Sequence, residues 1–261
     1  MKPVISVIMS VYNQEQFVKQ SILSILRQSY GNFELIIIDD GSKDSSFKVI
    51  SSFKDSRIRL IKNRYNMGLT KSINIGLKKA RGEFIARMDG DDISYSNRFK
   101  LELDAFDKNK NLYLVGGQAD LIRSNGKKIK TTSMPTDYKS LKRVAIRFNP
   151  FVHPTIMFQK RLLTKIGYYN ERFRYSQDYD FILRALSCCQ CQNLPKAILG
   201  LRLTGKSISA AKHRRQQLTA VSIRLNAIFN YGYAKYNLIF LIKPFISSLV
   251  PFSWKKIFYP T

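Results

Sequence analysis

Phe84-Ile85-Ala86-Arg87-Met88 runs straight into Asp89-Gly90-Asp91-Asp92, an apolar segment that ends in three carboxylates within four residues. The chain around it is strongly basic, with 44 Lys and Arg against 18 Asp and Glu over 261 residues. Carboxylates that close repel and raise one another's pKa unless a cation lies among them. A divalent metal is the obvious cation. Upstream, Ile36-Ile37-Ile38-Asp39-Asp40-Gly41-Ser42 repeats the pattern of buried strand, acidic residues and glycine turn. Ligands of an open parallel sheet bind at the carboxyl ends of its strands, so both acidic clusters are expected on one rim.

Working outward, Val4 to Val11 is almost continuously apolar, as a strand buried on both faces must be. Phe17, Val18, Ile22, Ile25 and Leu26 then recur at helical spacing, with Asn13 and Gln16 placed like a capping box. Phe33 to Ile38 reads as the second strand, Asp44 to Phe53 as a helix and Arg57 to Ile61 as a short strand. A third helix carries Leu69, Ile73, Leu77 and Ala80 and is closed by Gly82. This alternation predicts the α/β class, a doubly wound, mostly parallel open sheet flanked by helices. Downstream the pattern weakens. Helices are expected over Phe99 to Phe106, Tyr138 to Ile146, Lys160 to Ile166 and Asp178 to Cys188, with strands at Leu112 to Gly116 and Thr155 to Phe158. Ser124-Asn125-Gly126-Lys127 marks a tight hairpin, and Ser207 is placed to cap a long basic helix reaching Phe229.

An apolar content of 44% with 12% aromatics is that of a globular protein. The first strand begins at once after Met1-Lys2-Pro3, leaving no room for a secretory signal, so a cytoplasmic protein is expected. Cys188, Cys189 and Cys191 are crowded at one helix end, too few for a zinc site and too close to staple distant segments. They read as free thiols.

The net charge of +26 is unevenly placed: after Asp180 there is no further Asp or Glu. Such a one-signed segment attracts a polyanion, either nucleic acid or an anionic membrane surface. Leu238, Ile239, Phe240, Leu241, Ile242, Phe245, Ile246 and Trp254 favour the membrane over nucleic acid. Lys243 and Pro244 interrupt the run before it is long enough to span. Residues 206–261 are therefore expected to form a basic, apolar helical extension lying on the membrane. The plainer alternative is a C-terminal helix pair packed on the domain.

No Gly-rich dinucleotide or P-loop follows the first strand. What stands there is Ser10-Val11-Tyr12-Asn13, followed in order by Asp39-Asp40, Asn66-Met67-Gly68, Asp89-Gly90-Asp91-Asp92 and Ser176-Gln177-Asp178-Tyr179-Asp180. This ordered set resembles the family 2 glycosyltransferases of the GT-A fold, over about residues 3 to 210. The resemblance implies a catalytic domain over 1–205, its nucleotide-sugar half about 1–110 and its acceptor half about 111–205. It implies inverting transfer of a sugar from a nucleoside diphosphate donor, UDP-linked, to an acceptor hydroxyl of a surface polysaccharide or lipid-linked glycan at the inner face of the membrane.

By the same resemblance, Ser10 and Tyr12 line the donor site, Tyr12 stacking near the base while Asp40 accepts a hydrogen bond from its edge. Lys71 and Lys206 lie near the diphosphate, and Asp89 holds the ribose or supports the metal. Asp91 ligates Mn2+ or Mg2+ across the diphosphate oxygens, hard ligands suited to such ions. Asp178 is the general base, in a position where the family pattern is Glu-Asp and this chain has Gln177-Asp178. His153 belongs to the acceptor side.

Each residue also has a structural reading. Asp40 or Ser42 can cap the following helix, Tyr12 can be a rim aromatic, Lys71 a solvated charge, and Asp178 the first-turn acid of its own helix. Asp92 and Asp180 are read as loop braces. Two competing functions draw on part of the pattern. A nucleotidyltransferase should carry a Gly-rich basic loop after the first strand, which Ser10 to Asn13 lacks, and a nucleic-acid binding protein rests on charge alone. A catalytically silent scaffold would leave the carboxylates without a task.

Overall fold

The computed structural model describes residues 2–204 and 213–242. Lys206, Ser207 and the apolar run beyond Ile242 lie outside the described residues. β1 (Ile5–Val11), α1 (Val18–Leu26), β2 (Phe33–Asp39), α2 (Ser46–Ser51), β3 (Ile58–Lys62), α3 (Leu69–Lys79) and β4 (Phe84–Asp89) deliver the expected alternation. The two-residue β5 (Ile93–Ser94) and α4 (Arg98–Lys108) follow, then β6 (Leu112–Ile122), β7 (Lys128–Thr131) and α5 (Tyr138–Val144). A 3-10 turn at His153–Thr155 leads into β8 (Met157–Gln159), α6 (Leu162–Ile166), α7 (Gln177–Cys188), β9 (Gln190–Arg202) and α8 (His213–Asn230).

One sheet joins the strands in the order β3-β2-β1-β4-β8-β6-β9-β5, with β7 hung on β6. It is parallel through its first four strands. Beyond β4 it is mixed: β8 is antiparallel to both β4 and β6, and β9 runs parallel to β6. The strand order reverses on either side of β1, the position at which an open α/β sheet offers a crevice. Register puts Val11 beside Asp39 and Ser10 beside Asp89, so the two acidic strand ends share one rim.

Both faces of the sheet are covered, which is why its central strands are apolar without alternation. Ile8, Ile36, Ile38 and Ile85 pack under α3, α7 and α8 through Ile73, Leu77, Phe181 and Ile223. Met9, Leu35, Ile37 and Met88 pack under α1 and α4 through Ile22, Ile25 and Phe99. Behind β4, the fully buried Arg98 pairs with Glu102 and donates to the Arg87 carbonyl oxygen at 3.0 Å, fixing the strand that carries the acidic loop.

Several local expectations change. α1 starts at Val18 with no side-chain cap, because Asn13 Oδ1 accepts from the Lys43 N–H at 2.8 Å instead of turning back on its own helix. Asp40 and Ser42 do not cap α2; Asp44 accepts the Ser46 N–H at 2.9 Å. β9 was not foreseen: Pro195 and the polar residues before it hide a 13-residue strand whose N-terminal part carries Cys191, so only Cys188 lies in the helix. All three thiols are free, as read.

α8 explains its own weak helical signature. It is apolar on two sides: Ile223, Ala227 and Ile228 are buried against the domain, while Leu218, Leu225 and Phe229 are 44%, 36% and 62% exposed. The next segment, a 3-10 stretch over Lys235–Leu241, exposes Tyr236, Leu238 and Ile239. No helix among the described residues is long and apolar enough to cross a membrane.

Candidate active site

The rim is assembled by two loops stitched together. The Asn13 and Gln14 amides donate to Ser42 Oγ and Ser46 Oγ at 3.1 and 2.7 Å, and Ser45 N donates to Glu15. Tyr12 is left 40% exposed at the edge, and Ser10 is buried beneath it at the end of β1. Gly41 makes the turn at φ +71, where a Cβ would meet the Tyr65 backbone at 2.6 Å.

Asp40 is 1% exposed and its carboxylate is committed inside the protein. Oδ1 accepts from Asn63 Nδ2 at 2.8 Å and from the Met67 N–H at 2.9 Å, and Oδ2 from the Gly68 N–H at 2.9 Å. It thus fixes the loop that leads into α3, where Lys71 stands exposed on the first turn. Asp39 beside it is fully buried, with neither carboxylate oxygen hydrogen-bonded.

At the end of β4, Arg87 is buried with its guanidinium paired to Asp89 and donating to the Ile8 carbonyl at 3.2 Å. Asp89 and Asp91 are both half-buried. Burial first, and then the charge of Asp89, push the Asp91 carboxyl up to about 6. Gly90 permits the tight approach of this loop, since a Cβ there would come within 2.2 Å of Gln14 Oε1 and 2.9 Å of Val11 Cγ2.

Asp92 takes the bracing part read for it. Its Oδ1 accepts the Arg202 N–H at 2.8 Å, and its carbonyl oxygen accepts from Ser21 at 2.6 Å. Arg202, only 5% exposed, completes the clamp. Its Nε donates to the Asp91 carbonyl oxygen at 2.7 Å, Nη1 to Ser124 O at 2.5 Å and Nη2 to Gln20 Oε1 at 3.0 Å, with the guanidinium 4.5 Å over the Phe17 ring.

Among the described residues, no group of three or more His, Cys, Asp or Glu is placed to hold a metal on its own. The chemistry of the loop fits an ion that brings most of its ligands with a diphosphate: one hard carboxylate, Asp91, whose proton affinity is raised first by burial and then by the charge of Asp89.

Asp178 stands in the first turn of α7, introduced by Ser176 in a left-handed conformation at φ 56. Asn13, at φ 52 in the loop after β1, is the other non-glycine described residue with positive φ. Asn149 Nδ2 donates to Asp178 Oδ2 at 2.9 Å. Burial raises the Asp178 carboxyl, backbone and Asn149 donors pull it down, and the charge of Asp89 raises it again. Asp180 is spent in an ion pair with Arg184 at 2.7 Å.

His153 Nε2 lies 2.8 Å from Tyr169 Oη, and burial with the nearby charge of Arg87 hold it well below the usual histidine range, a neutral ring. Tyr169 in turn stacks on Phe181 with centroids 4.3 Å apart. His153 therefore belongs to a packed cluster behind Asp178. The structure thus adds Arg202, Asn149 and Tyr169, none of which the sequence singles out.

The model of glycosyl transferase family 2 matches residues 6–167. The O-antigen biosynthesis glycosyltransferase WbnJ of Escherichia coli is 34% identical over 228 residues, 84% of this chain and 87% of that one. The UDP-Glc:alpha-D-GlcNAc-diphosphoundecaprenol beta-1,3-glucosyltransferase WfgD of Escherichia coli is 41% identical over 122 residues, 46% of this chain and 47% of that one. Among solved structures, S. aureus TarS 1–349 in complex with UDP-GlcNAc superposes with a TM-score of 0.74 at 20% identity, covering 94% of this chain and 72% of that one.

Proposed function

From the premise that this chain belongs to glycosyl transferase family 2, we propose that it transfers a sugar with inversion from a UDP-sugar to an acceptor hydroxyl of a surface or lipid-linked glycan. The observation that supports this reading is the carboxyl-end rim on which Ser10 and Asp89 lie side by side, with the segment leading into α7 and Asp178 tied to α3 of that rim by Thr70 and Asn74, which donate to the Phe173 and Tyr169 carbonyl oxygens at 3.2 and 2.9 Å. WbnJ and WfgD support the acceptor class, and TarS, crystallised with UDP-GlcNAc, supports a UDP-linked donor. Membership of the family favours glycosyl transfer over the nucleotidyl transfer and nucleic-acid binding weighed from sequence.

In this reading Tyr12 offers its ring to the base over Ser10, and Asp40 shapes the base pocket by holding the Asn63–Gly68 loop. Lys71 faces the diphosphate. Asp91, with Asp89 and Arg87 behind it, would hold Mn2+ or Mg2+, and such an ion when bound would supply positive charge to offset that of the diphosphate. Asp178 accepts the proton of the acceptor hydroxyl as that oxygen bonds to the anomeric carbon and the bond to the diphosphate breaks. A single displacement of this kind inverts the centre. The raised Asp178 carboxyl suits a base that must be ionised to act but strong enough to take a proton. His153 and Tyr169 support the wall behind it.

We extend the proposal to location: the outward side of α8, with Leu218, Leu225 and Phe229, rests on an anionic membrane, in a chain whose sequence after Asp180 carries only positive formal charge.

The test is calorimetric binding of UDP with and without Mn2+, paired with release of UDP from UDP-glucose, UDP-galactose and UDP-N-acetylglucosamine. Asp91→Asn should remove the metal dependence of UDP binding, and Asp178→Asn should keep UDP binding while losing at least about a hundredfold in kcat. Turnover near wild type in Asp178→Asn refutes the base. Metal-dependent UDP binding unchanged in Asp91→Asn refutes the metal site.

A further inference from the structure

Asp178 is held by a loop that the donor-site motifs do not include. Residues 145–152 connect α5 to the 3-10 turn, and this loop is pinned on either side of Asn149 by side chains from elsewhere. Tyr179 Oη, on the first turn of α7, lies 2.6 Å from Ala145 O and 3.0 Å from Ile146 O. Arg224, 8% exposed on the inner side of α8, donates from Nε to Tyr179 Oη at 3.0 Å and from Nη2 to Arg147 O at 2.9 Å. On the other side, the fully buried Asn193 of β9 donates to Pro150 O at 2.9 Å. Between these pins, Asn149 accepts the Phe151 N–H at Oδ1 at 3.2 Å and donates from Nδ2 to Asp178 Oδ2.

An amide whose oxygen is tied to backbone has its NH2 aimed in a fixed direction. A carboxylate held by that NH2 as well as by backbone donors of its own turn loses the freedom to rotate. Geometry of that kind determines how much of the time a base stands ready.

We propose that Asn149 is a positioning residue that orients the Asp178 carboxylate for proton abstraction, and that Arg224 is the remote brace through which α8 holds Asn149 in place. The inference rests on Asp178 being the base. It gives the C-terminal helix a task in the reaction distinct from any contact with a membrane.

The titratable and charged groups around Asp178 are Asp89 at the end of β4, Tyr169 ahead of α7 and Tyr179 on its own helix, with Arg87 and His153 beyond Tyr169. Among the described residues Asn149 is the one side-chain amide donating to it, so loss of that N–H withdraws support from the ionised form.

The full chain is assayed with whichever of UDP-glucose, UDP-galactose or UDP-N-acetylglucosamine it hydrolyses, as kcat and donor KM from pH 5 to 9, with UDP affinity measured alongside. Asn149→Ala should lower kcat about tenfold with donor KM and UDP affinity within about twofold, and move the acid limb of the kcat profile about half a unit to one unit towards higher pH. Asn149→Asp, nearly the same shape and so safe for folding, should move the limb the same way by more. Arg224→Ala should lower kcat severalfold at constant donor KM, and Arg224→Lys should restore part of it. If Asp178→Asn is inactive while Asn149→Ala and Asn149→Asp keep the wild-type kcat and acid limb, the positioning role is overturned and the base stands. If Asp178→Asn turns over normally, the base falls and this inference falls with it. Loss confined to donor KM would assign Asn149 to donor binding and overturn its role toward the base.

Discussion

Replacing Arg202 by alanine probes what holds the acidic loop in place. The side chain is 5% exposed and donates to Asp91 O, Ser124 O, Arg123 O and Gln20 Oε1 while lying over Phe17. Hydrogen bonds from a charged donor each contribute about 1.5–3 kcal/mol net, but bonds from one guanidinium are not additive. Truncation also strands several carbonyl oxygens and empties a packed volume. A loss of about 4 kcal/mol follows, near the range for breaking a buried charge network. For a chain of this size that lowers Tm by about 8–16 °C. The backbone bond from the Arg202 N–H to Asp92 survives, so the loop should loosen at Asp91 and not detach altogether.

The assay is thermal unfolding followed by circular dichroism, paired with Mn2+-dependent UDP binding, on Arg202→Ala and Arg202→Lys with the exposed Arg123→Ala as control. Arg202→Lys keeps charge and stem but not the fork, and should fall between wild type and alanine. Arg123→Ala should melt within about 2 °C of wild type. Arg202→Ala melting equally close to wild type would refute the claim that this side chain clamps the loop.

Two further outcomes are expected. Glu34 is 2% exposed and bonded to Arg59, Arg81 and Ser6; burial raises its carboxyl, but these donors together outweigh burial and hold it below the usual range. A group depressed on folding contributes stability above its unfolded pKa, about 4.3, and loses it as pH falls through the folded value. Glu34→Gln should therefore destabilise by about 2 kcal/mol at pH 7, the gap narrowing below pH 4 in paired melts; a gap independent of pH would count against it. If the outer side of α8 rests on lipid as proposed, Leu225→Glu with Phe229→Glu removes two apolar contacts each contributing about 1.5–3 kcal/mol on burial, and should cut affinity for phosphatidylglycerol vesicles, read by cosedimentation, by more than about a hundredfold. Unaltered binding would move the contact away from this side of α8.

What could be read from residues alone was whatever a local pattern carries. Strands buried on both faces are runs of Val, Ile and Leu, and a carboxylate cluster at a strand end states its own location, so β1 to β4 and the Asp39–Asp40 and Asp89–Asp92 rims were legible. β9 was not, because a strand crossing the sheet's mixed half carries Gln190, Asn193 and Pro195 and shows no period. Arg202 was hidden for a related reason: it is one basic residue among many after Asp180, and only the fold tells a buried clamp from solvated charge. That Asp40 holds its own loop was not legible, since a carboxylate beside a glycine turn can serve its backbone or a ligand and spacing does not separate the two.

α8 bears on how deletion experiments should be interpreted. Ile223, Ala227, Tyr233 and Leu241 fill the same cluster as Phe181 and Leu183 of α7, and Tyr233 Oη donates to Leu183 O at 3.0 Å. A chain cut after Thr204 would therefore expose the flank of the helix that bears Asp178 as well as lacking the exposed apolar stripe of α8. Inactivity of such a fragment says nothing about lipid. Point changes on the outer stripe, which leave the inner stripe seated, separate any loss of lipid binding from loss of support for α7.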